Sequence, residues 1–377
     1  MNKKWFICLI LLFLVWRVID FLITYFAPNF IPFLGFFPYQ NQLSSFNFPH
    51  WINSLASFDG IHYLLISKNG YSQFEQAFFP LYPLLIRYFT PIIGNWLLSG
   101  LIISNISFLI GLIFLSKTVQ KIKNEESNLF FLLVFILAFP TSFFFGAVYT
   151  EGLFFLLFTA SLYFLKKEKY LIAALFAAVA SATRLIGVFL LIPFFFKIIR
   201  KLKIKNLTLL ISPLIGLSIY SFYLYKTTGD PLYFLTTQPL FGANRSTHLI
   251  VLPQVIWRYI KIFITANHNF QYFVSVIEFI FFNIVFIILV LDLITNLGLK
   301  IKNYWRIGLN IFSFANLILP TLTGSLSSIP RYSLFSISFF LYLSEIKEKW
   351  IKIAIVIIFI IFHVILLGLF SQGYFIS

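Results

Sequence analysis

Apolar positions along this chain come in long unbroken runs, and polar residues gather in short clusters between them. The runs recur from end to end and reach roughly 17 to 27 residues, enough for helices that cross a ~30 Å hydrocarbon core. No polar stretch is large enough to hold a separate soluble domain, so the pattern predicts one all-α, polytopic membrane domain over residues 1–377.

The Lys/Arg clusters orient the runs, because short cytoplasmic loops carry the excess of basic residues. With Lys3 and Lys4 inside, a first span at 5–27 exits, and 28–96 forms a long extracytoplasmic loop almost free of Lys and Arg. A span at 97–116 returns to a cytoplasmic loop with Lys117, Lys121 and Lys123. The interval 129–165 ends at Lys166, Lys167 and Lys169, so it must cross an even number of times, as a hairpin with its tip near Gly146 to Glu151. The same parity makes 171–196, which precedes Lys197, Arg200, Lys201, Lys203 and Lys205, a hairpin with Arg184 at its outer tip. Its arms, about 13 residues each, are too short for full spans, which points to a re-entrant region lining a cavity. Further spans fall at 206–225, 272–297, 305–322, 332–344 and 350–370, with inner residues Lys300, Lys302 and Arg306 and an interfacial amphipathic stretch from Pro253 to Asn269. About nine to eleven transmembrane or re-entrant helices result.

Composition narrows the class further. The chain is 60% hydrophobic and 11% charged, with 52 Phe, against ~25% charged residues in soluble proteins. Its net charge of +16, from 28 basic and 12 acidic residues, sits in loops between apolar runs. That placement implies attraction to anionic headgroups of the bilayer rather than nucleic-acid binding. A single cysteine, Cys8, excludes disulfides and CxxC metal sites. The first apolar run is too long for a cleaved signal peptide and has no small-residue cleavage site, so a retained anchor is expected.

Against this background the few ionisable residues stand out. The first outer loop holds Phe58-Asp59-Gly60-Ile61-His62-Tyr63, then Asn69-Gly70-Tyr71, Glu75 and Phe78-Phe79-Pro80-Leu81-Tyr82-Pro83. Asp59, in aromatic and poorly solvated surroundings, is a candidate base, or else the cap of a helix beginning near Gly60. His62, three residues on, shares its helix face. Glu151 either favours the dipole of the helix it opens or faces a cavity as a functional carboxylate. Arg184, the only charge between Lys169 and Lys197, needs an anion, which can be a lipid phosphate or Glu151, and Arg331 invites the same two readings. Asp230 lies in a Gly229-Asp230-Pro231-Leu232 turn, and Arg17 and Asp20 are spaced to pair on one helix face. The positive-inside assignment puts Asp59, Glu75, Glu151, Arg184, Asp230 and Arg331 all on the outer side. No GxGxxG, Walker, HExxH or triad-like pattern is present.

Phe58 to Tyr63, Gly70-Tyr71, Glu75 and Ala77 to Pro83 resemble the first lumenal loop of PIG-V-type mannosyltransferases, the GPI mannosyltransferase 2 family and its prokaryotic relatives. Tyr149-Thr150-Glu151 with Leu153-Phe154, Ala182-Thr183-Arg184 with Gly187, Gly229 to Leu232 with Phe234, and Pro330-Arg331-Tyr332 resemble later motifs of that family, in order, so the likeness runs over roughly residues 50 to 335. Phe58 stands where the family usually has Trp, and Leu185-Ile186 where it usually has small polar residues. The resemblance implies a GT-C fold with an extracytoplasmic active site and a polyprenyl-phosphate-linked sugar donor, mannose in characterised members. It further implies transfer to an acceptor hydroxyl on a glycan, glycolipid or protein by inverting single displacement. Carried onto this chain, it makes Asp59 the catalytic base and gives Arg184 and Arg331 the donor phosphate. It leaves His62, Tyr71, Glu75, Glu151 and Asp230 to position sugar or acceptor. The implied mechanism requires no cofactor; metal dependence stays open, with Asp59, His62 and Glu75 as the imaginable ligands of a divalent ion that the mechanism does not itself imply. Two other classes remain: a transporter or flippase of lipid-linked sugars, against which stands the lack of an internal repeat, and a catalytically silent scaffold. The sequence does not name a partner subunit.

Overall fold

The computed structural model describes residues 3–34, 40–120, 126–198, 208–241, 246, 248–298 and 303–376, and the regular elements among them are all helical. The principal helices in chain order are α1 (Lys3–Phe26), α2 (Asp59–Asn69), α3 (Leu81–Ile93), α4 (Trp96–Val119), α5 (Glu126–Ala138), α6 (Glu151–Lys166) and α7 (Tyr170–Ser181). They are followed by α8 (Leu191–Ile198), α9 (Ser212–Thr228), α10 (Leu252–Thr265), α11 (Phe270–Gly298), α12 (Tyr304–Ile318), α13 (Ile337–Ser344) and α14 (Lys349–Ser371). Short helices and 3-10 turns fill the connections. Helices α1, α4, α11 and α14, and the stretch Leu209–Thr228 that contains α9, are long and apolar enough to cross a membrane, and α3, α5, α7 and the segment Leu185–Ile198 are shorter apolar elements beside them. The chain is an all-α, multi-pass membrane protein.

Burial explains which helices meet lipid. Helix α1 buries one stripe, Leu9, Phe13, Trp16, Arg17, Asp20 and Thr24, while Phe6, Leu11, Leu14, Val15 and Val18 on its other faces are exposed. Helix α14 likewise exposes Ile353, Ile357, Ile358, Ile361 and Val364. So much outward aliphatic surface is stable only where the solvent is hydrocarbon. Helix α4 is more deeply packed, with Ser99, Gly100, Ser104, Ser107 and Gly111 on its buried face. Small residues let backbones approach closely, and α6 uses this: a Cβ on Gly152 would run into the carbonyl oxygens of Ser104 and Phe145.

The turns follow from local chemistry. Helix α3 ends on Gly94 at φ 83°, and Asn95 next to it caps α4 by accepting from the Leu98 amide at 3.1 Å. Helix α9 has proline in its first turn and Gly229 at φ 79° after its last. The hairpin over 129–165 is present, with its turn at residues 146–150, and the 171–196 region is two short helical arms broken at residues 182–184. The amphipathic stretch is α10, whose Trp257 and Ile264 are exposed while Val255 and Tyr259 are buried.

One expectation changes. The span at 332–344 is instead the short helix Ile329–Tyr332, a 3-10 turn and the eight-residue α13, almost wholly buried. Such broken backbone is tolerated at membrane depth when protein surrounds it. Arg306, in the first turn of α12, is buried and forks onto Asp292 at 2.7 and 2.9 Å. The basic residues Lys121, Lys123, Arg200, Lys201, Lys203, Lys205, Lys300 and Lys302 lie outside the described residues.

Candidate active site

Four residues distant in sequence form one chain of charge-assisted hydrogen bonds. The Oε1 atom of Glu151 accepts from both Nη1 of Arg184 and Nε of Arg331. Arg331 Nη1 donates to Asp59 Oδ2 at 2.6 Å, and Arg184 Nη1 donates to Thr150 Oγ1 at 3.0 Å. Aromatic faces hold both guanidiniums: Arg184 lies 5.3 Å from the rings of Tyr332 and Phe335, and Arg331 lies 5.0 Å from Phe144 and 4.7 Å from Tyr149.

Exposure divides the roles within this chain. The side chain of Glu151 is 0% exposed and both arginines are 9% exposed, whereas that of Asp59 is 31% exposed. Asp59 is therefore the most accessible member of this chain, and Glu151 is the buried anion that accepts from both guanidiniums. Buried charges of this kind survive only when paired; removing one partner typically costs about 3–5 kcal/mol. The second carboxylate oxygen of Glu151 is buried with no hydrogen-bond partner among the described residues.

Backbone geometry puts these side chains in place. Among the described residues five non-glycine positions have positive φ, and three of them, Phe58 (58°), Phe74 (72°) and Ser328 (69°), directly precede the helical turns that carry Asp59, Glu75 and Arg331. Each such residue costs about 1–3 kcal/mol and persists only where surroundings demand it. Asp59 is the first residue of α2, and Phe58 holds the cap position without a side-chain bond. The turn before α2 is laced to the turn before α6: Val148 donates to the Leu55 carbonyl at 3.0 Å and Tyr149 Oη to the Ser57 carbonyl at 2.7 Å. Gly60 permits the approach, since a Cβ there would sit 3.2 Å from the Val148 carbonyl oxygen. Leu81 donates to the Ala182 carbonyl at 3.2 Å, docking the Pro80 turn beside Arg184. Thr141 Oγ1 donates to the Pro330 carbonyl at 2.8 Å and Asn316 Nδ2 to that of Tyr332 at 2.7 Å, which fixes the turn bearing Arg331.

The other candidates divide. His62, one helical turn after Asp59, pairs through Nδ1 with Glu75 at 3.1 Å, while Glu75 also accepts from the Ser72 amide at 2.9 Å and the His62 ring stacks on Phe78 at 5.1 Å. Tyr71 Oη donates to the Phe78 carbonyl at 2.7 Å, tying that loop together. Asp230 stands apart, accepting from the Leu232 amide at 2.8 Å and Thr236 Oγ1 at 3.0 Å in a local, exposed cap. Among the described residues no group of three or more His, Cys, Asp or Glu is placed to hold one metal ion. Arg17 and Asp20 do pair, at 3.1 Å, and gain His363 at 2.8 Å from Asp20; Arg17 also donates to the Gly146 carbonyl at 3.0 Å, steadying the turn that leads to Glu151. Sequence reasoning missed Phe144 and the bracing role of Tyr149. Tyr149 stood in a quoted motif, but nothing distinguishes Phe144 among 52 phenylalanines.

No curated protein and no solved structure matches the chain. The family model described as Mannosyltransferase (PIG-V) matches residues 9–201, a stretch that includes Asp59, Glu151 and Arg184 and leaves Arg331 to be supplied from beyond it. Matching just over half of the 377 residues, it shows that the chain belongs to the PIG-V mannosyltransferase family, a family of glycosyltransferases.

Proposed function

We propose that this protein transfers a hexose, mannose in the first instance, from a polyprenyl-phosphate-linked donor to the hydroxyl of a glycan, glycolipid or protein acceptor on the extracytoplasmic face, with the N-terminus cytoplasmic. The observation that carries this reading is the partly exposed Asp59 carboxylate bonded to Arg331, with a second guanidinium, Arg184, held close behind by Glu151. Asp59 takes the proton of the acceptor hydroxyl as its oxygen attacks the anomeric carbon from the face opposite the phosphate. The bond from the anomeric carbon to the phosphate oxygen breaks, its electron pair leaves with the phosphate, and the configuration inverts. No strong general acid is required, because a phosphate leaves as a stable anion.

The shared Arg331 couples the two ends of this displacement. Before reaction the charges of Asp59, Glu151, Arg184 and Arg331 sum to zero. Once Asp59 is protonated the group carries a net positive charge, as negative charge develops on the departing phosphate. Glu151 acts as a positioning residue for the arginines, and His62, Glu75 and Tyr71 shape the loop that borders sugar and acceptor. The route calls for no metal ion.

The test is transfer by protein reconstituted in membranes, given a polyprenyl-phosphate mannose of known anomeric configuration. The reading expects product of the opposite configuration. Retention of configuration, or transfer from a nucleotide sugar alone, contradicts it.

A further inference from the structure

We infer that Phe370, near the end of α14, is a positioning residue for the Asp59 carboxylate and acts through Phe58. This rests on the reading of Asp59 as the base, and it draws in a part of the chain far beyond the matched residues 9–201. Phe58 has φ 58° and ψ −118°, a combination that a residue with a Cβ rarely takes. It sets the direction in which α2 begins, and therefore where the Asp59 side chain points. Such a backbone holds only when its neighbours over-determine it.

The C-terminal segment supplies those neighbours. The Phe58 ring lies 5.5 Å from that of Phe370 and 5.2 Å, edge-on, from that of Phe375. Phe370 is 1% exposed and is itself wedged against Phe143, Phe144 and Tyr149 at 5.2, 5.3 and 6.1 Å. Tyr149 in turn holds the carbonyl of Ser57, the residue before Phe58. The end of α14 is anchored as well: the Gln372 carbonyl accepts from the Leu34 amide at 3.0 Å, and the Gln372 side chain meets His50 at 3.3 Å. Phe58 thus follows a residue tied to Tyr149, and its own ring is packed by Phe370 of α14 and by Phe375 just beyond it. The same Phe370 also backs Phe144 and Tyr149, the rings under Arg331.

The experiment compares reconstituted wild type, Phe370→Leu, Phe58→Gly and the double variant in transfer from polyprenyl-phosphate mannose, with Asp59→Asn alongside. Phe370→Leu is expected to lower kcat roughly tenfold and to leave the donor KM within about twofold, because a displaced base slows the chemistry without loosening the donor. In the Phe58→Gly background there is no ring to hold, and glycine takes positive φ freely, so the same substitution lowers kcat by less than about twofold. Phe375→Leu, at a more exposed ring, gives the same split to a smaller degree. An equal kcat loss in both backgrounds means that the ring acts through Phe144 and Tyr149 instead, and overturns the inference. Unchanged kcat in Phe370→Leu beside an inactive Asp59→Asn removes this inference alone. Full transfer by Asp59→Asn removes the base, and the inference with it.

Discussion

At the scale of single residues, Arg331 carries more of the site than any other side chain. Its Nε serves Glu151, its Nη1 serves Asp59 at 2.6 Å, and its plane lies against Phe144 and Tyr149. A lysine keeps the charge but has neither the planar fork nor the stacking surface. Arg331→Lys is therefore expected to lower kcat roughly 10²-fold in a protein that still folds, as read from transfer kinetics beside a melting curve; kcat within threefold of wild type would deny the bridge its role. Part of this site was legible in the sequence. Asp59, Glu151, Arg184 and Arg331 stand out because charges are scarce in so apolar a chain. That Arg184 would pair with Glu151 was one of two open readings, and the pair is present. That Arg331, 180 residues from Glu151, would share the same carboxylate oxygen was not legible, because no local pattern encodes such a separation. Nor do Phe58, Phe74 and Ser328 announce positive φ, since none is the glycine or asparagine that signals it.

At the scale of elements, the site depends on how closely α6 lies on α4. Glu151 opens α6, and Gly152 directly after it rests against the Ser104 and Phe145 carbonyls. A methyl group there pushes the start of the helix outward, moving Glu151 and both arginines. Gly152→Ala is expected to destabilise the protein by about 1–3 kcal/mol, seen as a lower melting temperature in detergent, and to cut activity further than the stability loss explains. Wild-type melting and transfer would show that the contact is slack. Lysine parity was enough to place the turn before Glu151 and the break at Arg184, because only a hairpin returns two basic loops to one side. It did not foresee the breaking of 332–344 into pieces around Ser333 and Ser336, where no Gly or Pro interrupts the run and burial replaces lipid as the surroundings.

At the scale of the whole molecule, the proposed topology sets the first loop outside and the Lys166 to Lys169 turn inside. In a Cys8→Ser background, a cysteine placed at exposed Ser45 is expected to react with a membrane-impermeant maleimide in intact cells, and one placed at exposed Lys167 only after the membrane is opened. The reverse pattern would invert the topology and put the site in the cytoplasm. The all-α, multi-pass architecture was fully legible, since apolar runs of this length have no other stable state. What joins the ends of the chain was less so: His363 in α14 meets Asp20 in α1 at 2.8 Å, and Phe370 reaches Phe58.

The central claim is that the partly exposed carboxylate of Asp59 is the base for sugar transfer, and Asp59→Asn in reconstituted membranes tests it most directly. The amide keeps the shape of the side chain and a hydrogen-bond acceptor for Arg331 while removing the proton acceptor. The account predicts that transfer from polyprenyl-phosphate mannose falls by roughly 10²–10⁴-fold in a protein that elutes and melts as wild type does. Transfer at the wild-type rate by the folded Asp59→Asn protein would contradict it.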